Sequence, residues 1–524
     1  MAQQLQNITV QAPGFAGINS QDSPISLDQS FAATASNCII DEYGRIGARK
    51  GYTEVSTDSS TATQLGSSRG IEAVHEYVKR DGTKTVFSAG NLKIFTGTTT
   101  LTPVTLPDPY TITANNWKII TFNNDVYFFQ RGHKALKSTA GSTTLVEVVD
   151  GSHYAPEANE VIGGFGKLWA ADVSGNKHTV YWSDTLVGIN WHGGTSGSLD
   201  LTNVFPSGDD EVVALSVFNN FLVIFCKRSI IIYSGADNTT TTDFKLHDTV
   251  EGVGCIARDS VQHTGTDIIF LSEDGVRSFG RTIQEKSMPM RDISNNVRNE
   301  LTALVRVQTN PIKSIYSADE AFYLLSLQDS QTIYCFDMRG PLPDGANRVT
   351  TWSSINPRSM ALLQDGSVYF GRADGIFKYE GHKDNGSSYL MTYYSNPLNF
   401  GNSTNLKFLK KFNITVIGNV ASNTTLAWGY DYGGGFIKKS FNTELSDTSV
   451  SEYGTAMFGR KADLTVAEPT YQESFYTTGI DIQRPSVNTS GSGTVVTIGI
   501  ESTINGAPYS IQQIDVHALL GRLI

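Results

Sequence analysis

This 524-residue chain is poor in charge, in cysteine and in long apolar runs. Charged residues make up 17% of it, against about 25% in an average globular protein. The net charge of −11 is spread along the sequence, with no run of five or six like charges. A basic tail that grips nucleic acid is therefore excluded. The four cysteines, Cys38, Cys226, Cys255 and Cys335, are far apart and form no C-x-x-C. That spacing argues against a disulfide framework or a zinc ribbon, and Cys226 lies inside an apolar run, so all four read as reduced packing residues. No apolar stretch approaches the roughly 18 residues that span a membrane. The opening MAQQLQNITVQAPG has neither a basic n-region nor an apolar h-region, which points to synthesis and folding in a cytoplasm.

Catalytic signatures are missing as well. The nine histidines contain no H-x-x-x-H or other close pair that would put two ligands on one metal. There is no G-x-S-x-G elbow, and Gly163-Gly164-Phe165-Gly166 lacks the Lys and Ser or Thr of a phosphate loop, so it reads as a turn. Asp209 with Glu211, or Asp319 with Glu320, are the residue types a glycosidase needs, but the sequence brings no specific pair together. The loop GADNTTTTD lacks the spaced carboxylates of a calcium site. The expectation is a protein with no catalytic residues, no cofactor and no metal.

What the chain does have is glycine, 49 of 524 residues, with Thr, Ser and Asn recurring throughout. Such a composition suits many short strands and turns. The stretch VFNNFLVIFCKRSIIIYSG, residues 217–235, pairs two short β-favouring runs, and TFNNDVYFF, residues 121–129, repeats its first half. The same unit returns along the chain as TKTVFSAG with NLKIFTG, NDVYFFQ with HKALKST, GKLWAAD with HTVYWSD, and NFLVIFC with RSIIIYSG. It continues as TDIIFLS with GVRSFGR, EAFYLLS with TIYCFDM, and GSVYFGR with GIFKYEG. The second strand closes on Phe95, Trp182, Tyr233, Phe279, Phe336 and Tyr379, with Leu136 standing in once. Self-similarity at about 41 to 53 residues marks four short strands per propeller blade. Hairpins are expected at Asp81-Gly82, Asp274-Gly275 and Asp365-Gly366. The reading is all-β: a seven-bladed β-propeller over 67–384, with two stacked β-sandwiches as the alternative.

Two flanks and one insertion break the repeat. Residues 1–66 read as an arm followed by short strands around Tyr43-Gly44 and Lys50-Gly51, expected to pack with the C-terminal part. Residues 385–524 alternate well in TNLKFLKKFNITVIG, TTLAWGYDYGGG and GTVVTIGIEST and read as a β-sandwich-like domain, with SVNTSGSGT as a flexible loop. In DISNNVRNELTALVR, residues 292–306, Ile293, Val297, Leu301 and Leu304 share one helical face, which predicts one short helix capped by Asp292 or Ser294 and packed on the propeller.

The sequence GINSQDSP at 17–24, then Ala35 and Asn37, then YGRIGARKGYTEV at 43–55, resembles the N-terminal pattern of bacteriophage tail nozzle proteins. These are also known as tail tubular protein B or packaged-DNA stabilisation hub proteins. The pattern includes Gly44, Arg45, Ile46, Arg49 and Gly51, with Lys50 where the family often has Pro. YYSNPLNFGNSTNLKFLKKFNITV followed by LAWGYDYGG resembles the family's platform domain, with Gly401, Lys407 or Lys410, and Asp431 in the matching places. The resemblance implies a homo-hexameric ring in the virion tail, below the tail adaptor of a short non-contractile tail. It also implies retention of packaged DNA, which passes without sequence-specific binding, and attachment of tail fibres or tailspikes. Asn37, Gly44, Arg45, Arg49, Gly51, Lys407 and Asp431 are its structural or interface residues. A negative ring would let DNA slide instead of sticking. The competing reading is a carbohydrate- or receptor-binding propeller that stacks Trp191 or Trp352 on a saccharide.

Overall fold

The computed structural model describes all residues except 1–4, 25, 58–63, 67–69, 206–207, 238–243, 286–291, 403, 419–421, 432, 434, 444–481 and 524. Most of GADNTTTTD therefore lies outside the described residues. The chain divides into two compact units. One, here the propeller unit, comprises Glu54–Asn347 and Ser353–Tyr379; the other, the terminal unit, comprises Met1–Thr53, Arg348–Trp352 and Glu380–Ile524. The divisions expected at 66/67 and 384/385 thus fall at 53/54 and 379/380.

The propeller unit is a succession of antiparallel meanders in chain order. The first holds Ile71–Val78, Lys84–Gly90, Lys93–Thr96 and Thr102–Pro103. Four-stranded sheets spanning 118–147, 158–200 and 212–251 follow the same order. A three-stranded sheet of Gln262–His263, Ile268–Ser272 and Gly275–Ser278 comes next, then meanders beginning at Lys313–Ser317 and Ser359–Leu362. The first strands of neighbouring sheets touch in sequence, save that Val212–Phe218 meets the next sheet through the Arg258–Ser260 turn, and Ser359–Leu362 returns to Ile71–Val78, which closes the circuit. The last sheet is sealed from the start of the unit, where the Val55 and Ser56 amides donate to the Ile376 carbonyl at 2.9 and 3.3 Å. The fold is a β-propeller.

The repeated apolar pairs are the second and third strands of these sheets. Phe221–Cys226, Ile268–Ser272 and Phe322–Leu327 are buried on both faces save Phe221, because adjacent sheets cover them. Between two such sheets Trp169, Trp182, Leu222, Ile224 and Tyr233 pack as one cluster. The duplicated Asn-Asn has a backbone cause. Asn123, Asn124, Asn219 and Asn220 all have φ between 46° and 70°, the two-residue left-handed turn that matches strand twist and that Asn tolerates. Gly82 and Gly366 likewise sit in hairpin turns at φ +85° and +80°.

The sheet ending at Ser278 departs from the repeat. Phe279, expected to close a strand, begins a helix, Phe279–Glu285. The 292–306 segment covers the Gly275–Ser278 strand edge, with Ser294 Oγ accepting the Val276 amide at 2.9 Å. Its helix runs over Arg298–Arg306, shorter than expected, and neither Asp292 nor Ser294 caps it. Ser294 is committed to the strand instead. Ile293, Val297, Leu301 and Val305 are buried, so the apolar stripe faces inward as expected, with Val305 more buried than Leu304.

The terminal unit consists of two sheets. In one, Leu5–Gln11 pairs Ser510–Leu523, which pairs Asn405–Ile417. The hairpin Cys38–Ile40 with Ile46–Ala48 joins it at Ser510. The expected loop SVNTSGSGT instead contributes Ser486–Asn488 and Ser492–Gly493, both paired to Asn405–Ile417. The second sheet orders Val349–Trp352, Gly17–Ile18, Phe31–Ser36, Tyr389–Ser395, Val496–Ile504, Ser422–Tyr430 and Ile437–Thr443. Gly17 has φ +81°, and a Cβ there would lie 2.4 Å from the Val349 carbonyl oxygen. Only glycine fits that approach.

Candidate functional site

The motif residues of the N-terminal segment converge on one buried node in the terminal unit. Arg49, fully buried, makes a bidentate pair with Asp384 at 2.8 and 2.7 Å. Its Nε donates to Asn37 Oδ1 at 2.9 Å, its Nη1 donates to the Lys50 carbonyl, and the guanidinium lies 4.2 Å over the Tyr389 ring. Tyr389 in turn donates its hydroxyl to the Arg49 carbonyl. Asn37 sits at φ +55° and donates Nδ2 to the Leu390 carbonyl. Gly51 packs so closely that a Cβ would lie 1.9 Å from the Lys383 carbonyl oxygen. The node therefore ties residues 37–52 to residues 381–390.

The remaining motif residues form two other groups. Gly44 turns the 41–45 hairpin at φ +71°, where a Cβ would overlap Pro13. Arg45 donates to Asp41 at 2.7 Å and lies over exposed Tyr43. Lys407, not Lys410, is the buried lysine, and it donates to the Asn402 and Thr494 carbonyls. Thr494 passes the contact on, since its amide and hydroxyl both donate to Asp431. The Thr494 hydroxyl and amide hold Asp431 below the usual carboxylate range, while burial lowers Lys407. These are structural interactions with no reacting group among them.

The propeller unit holds a second cluster that the sequence did not signal. Asp259 accepts Arg258 Nε and Nη2 at 3.0 and 2.8 Å and Lys313 Nζ at 2.7 Å, with Lys118 3.6 Å away. Asn116 Oδ1 bridges Arg258 and Lys313, and Asn159 accepts Arg258 Nη1. Lys118, Asn159 and Lys313 come from the first strands of separate sheets, Asn116 from the segment just before one of them, and Arg258 and Asp259 from the 3-10 turn Arg258–Ser260. A polar cavity of about 170 Å³ adjoins them, lined by Glu72, Lys118, Asp259, Gln262 and Lys313. Burial alone would raise Asp259, but Arg258, Lys313 and Lys118 outweigh it and hold its carboxyl well below the usual range. Lys313 is lowered by burial.

Glu160 is the misfit of that cluster. Its buried Oε2 has no hydrogen-bond partner, with Lys118 at 3.4 Å and Arg258 at 3.9 Å. Burial pushes its carboxyl up, against the pull of the two cations. The ionised form is then less stable folded than unfolded, so at neutral pH its charge costs stability. Glu160→Gln is expected to raise the melting temperature at pH 7, and the gap closes below about pH 4.3, the unfolded glutamate value, where both states are protonated. A lower melting temperature for the variant at pH 7 would mean that the Lys118 pairing dominates.

Of the glycosidase candidates, Asp209 is exposed, with one carboxylate oxygen 3.7 Å from His178. Glu211 is clamped by Lys227 at 2.6 Å and Lys177 at 3.0 Å, which lower it to about 2. That makes it unsuited to donate a proton. Trp352 is fully buried, with its indole N–H donated to the Cys38 carbonyl, and Trp191 is half-buried against Phe129. Trp352 therefore offers no open stacking face. All four cysteines are free and buried. Among the described residues no group of three or more His, Cys, Asp or Glu is placed to hold a metal ion, and no helix is long and apolar enough to cross a membrane.

No family model matches this chain, and no curated protein does. Solved structures similar to it include the computationally designed Ika8 protein at 14% identity, covering 59% of this chain and 82% of that one, with a TM-score of 0.35. The WD40 β-propeller domain of Doa1 matches at 12% identity over 63% of this chain and 96% of its own, with a TM-score of 0.32. YCF48 bound to D1 peptide matches at 10% identity over 60% and 93%, with a TM-score of 0.36. The propeller is read from the strand pairing described above.

Proposed function

We propose that this chain is a structural subunit of the tail nozzle of a short-tailed bacteriophage. In this reading copies of it form a six-membered ring below the tail adaptor, extend and close the DNA channel, and help retain the genome until ejection. The observation that carries it is the Asn37–Arg49–Asp384 node. There Asn37 and Arg49, in the N-terminal stretch that carries the nozzle resemblance, are tied to Asp384, 335 residues on and just ahead of the second resembling stretch that begins at Tyr393. The terminal unit is then the platform that docks the adaptor. In this reading the propeller has seven blades, the three-stranded 262–278 sheet being a reduced fifth one. Tail fibres or tailspikes are further partners, and no catalytic step is assigned.

The test is electron-microscope class averaging of the purified protein, alone and mixed with its tail adaptor. Six-fold rings with an axial hole in either sample are expected. Single propeller-sized particles in both, together with glycan-array binding, would overturn the nozzle in favour of a carbohydrate-binding propeller.

A further inference from the structure

Both sheets of the terminal unit end in a strand with one open edge. Leu5–Gln11 pairs only with Ser510–Leu523, and Ile437–Thr443 pairs only with Ser422–Tyr430, among the described residues. Each is seven residues long. Open edges present unpaired backbone N–H and C=O groups, and proteins usually blunt them with charge, Pro or a bulge.

The two edges are blunted differently. Residues 437–440 are exposed in succession, so both faces of that strand meet solvent, and Lys438 and Lys439 stand on it. Lys438 is paired with Glu501 at 2.9 Å, so pairing two copies of this strand would bring the charges of two Lys439 side chains into one short seam, which like-charge repulsion disfavours. The LQNITVQ strand has no charge, proline or glycine. Beside it runs a groove of about 530 Å³ lined by Gln6, Asn7, Ile8, Phe400 and the exposed carboxylate of Asp28. One edge is thus lysine-bearing, while the other is neutral and flanked by an acid.

We propose that copies of this chain join edge to edge, the Leu5–Gln11 strand of one copy pairing with the Ile437–Thr443 strand of the next, with Lys439 directed to the Asp28 groove. This rests on the ring reading above and names its joint. Backbone hydrogen bonds supply the affinity, and the charge pattern sets which edge meets which. A head-to-tail joint between unlike edges generates a ring when the rotation closes, whereas like-to-like pairing stops at a dimer.

The joint is tested on the full chain by cysteine cross-linking, which is clean because the four native thiols are buried. Ile8 and Ser440 are the central residues of the two strands, so they face each other in either orientation. Mixing Ile8→Cys protein with Ser440→Cys protein under oxidant is expected to give a mixed dimer, and the double variant a ladder of cross-linked oligomers. Lys439→Glu is expected to weaken assembly about tenfold, and Asp28→Lys to restore it. Melting curves like the wild type's would show that the variants fold. Rings that persist without the Ile8–Ser440 cross-link overturn the joint but leave the nozzle reading standing. Self-cross-linking of Ile8→Cys alone overturns it in favour of a symmetric dimer. A wild type that stays monomeric at every concentration also overturns it, while adaptor attachment tests the nozzle separately.

Discussion

Asp384→Ala is expected to destabilise the terminal unit by about 3–5 kcal/mol, because it takes the bidentate carboxylate away from a fully buried guanidinium. Arg49 would keep Asn37 and the Lys50 carbonyl but lose both oxygens of its bidentate partner. The loss should be largest around the node, because local opening need not unfold the whole chain. Hydrogen exchange is the suitable measurement: peptides from 31–53 and 380–395 should lose protection while 212–234 keeps it. Arg49→Met should be comparably damaging. The pair Arg49→Met with Asp384→Met should be milder than either alone, since no buried charge remains. Unchanged protection at 31–53 in Asp384→Ala would show that the node is dispensable and would remove the main support for the terminal platform.

That node also marks how far the sequence could be read. Arg49, Asn37 and Gly51 stood out through their order in a recognisable pattern. Asp384 did not, because HKDNGSS looks like any polar turn. Its role depends on a contact 335 residues away, which no local periodicity reports. In the propeller the second and third strands were legible because neighbouring sheets bury both their faces and force apolar runs. The fourth strands escaped notice: Gly197–Asp200 and Lys245–Glu251 lie outermost, largely in water, and carry mixed polar sequence. The Asn-Asn pairs were a usable turn signal that pattern-matching on Asp-Gly passed over. The helix at Phe279 was misread because GVRSF has the alternation of a strand until tertiary packing overrides it. Arg258-Asp259 carried no signal in the sequence, since its role depends on folding, which buries the arginine and places Lys313 on the same carboxylate.

Asp259→Ala is expected to be the most damaging single change in the propeller unit, at about 3–5 kcal/mol or more, since it leaves two buried cations facing an empty space. Arg258 and Lys313 are each less than a tenth exposed, and Lys118 is 3.6 Å from the same carboxylate. Asp259→Asn keeps the shape and removes only the charge, so it separates electrostatics from packing. The pH dependence follows from the direction of the shift. A carboxyl held well below its ordinary value contributes stability that is present above the unfolded value of about 3.9 and is lost as pH falls through the folded value. The gap between wild type and Asp259→Asn should therefore stay constant from pH 7 to about pH 5 and shrink only in stronger acid. Denaturant unfolding at several pH values, followed by exchange of peptides 118–130 and 313–327, would measure it. A gap that closes near pH 6 would mean that Asp259 is not the anion holding the first strands together. The balancing charge would then have to come from Glu160 or Glu72.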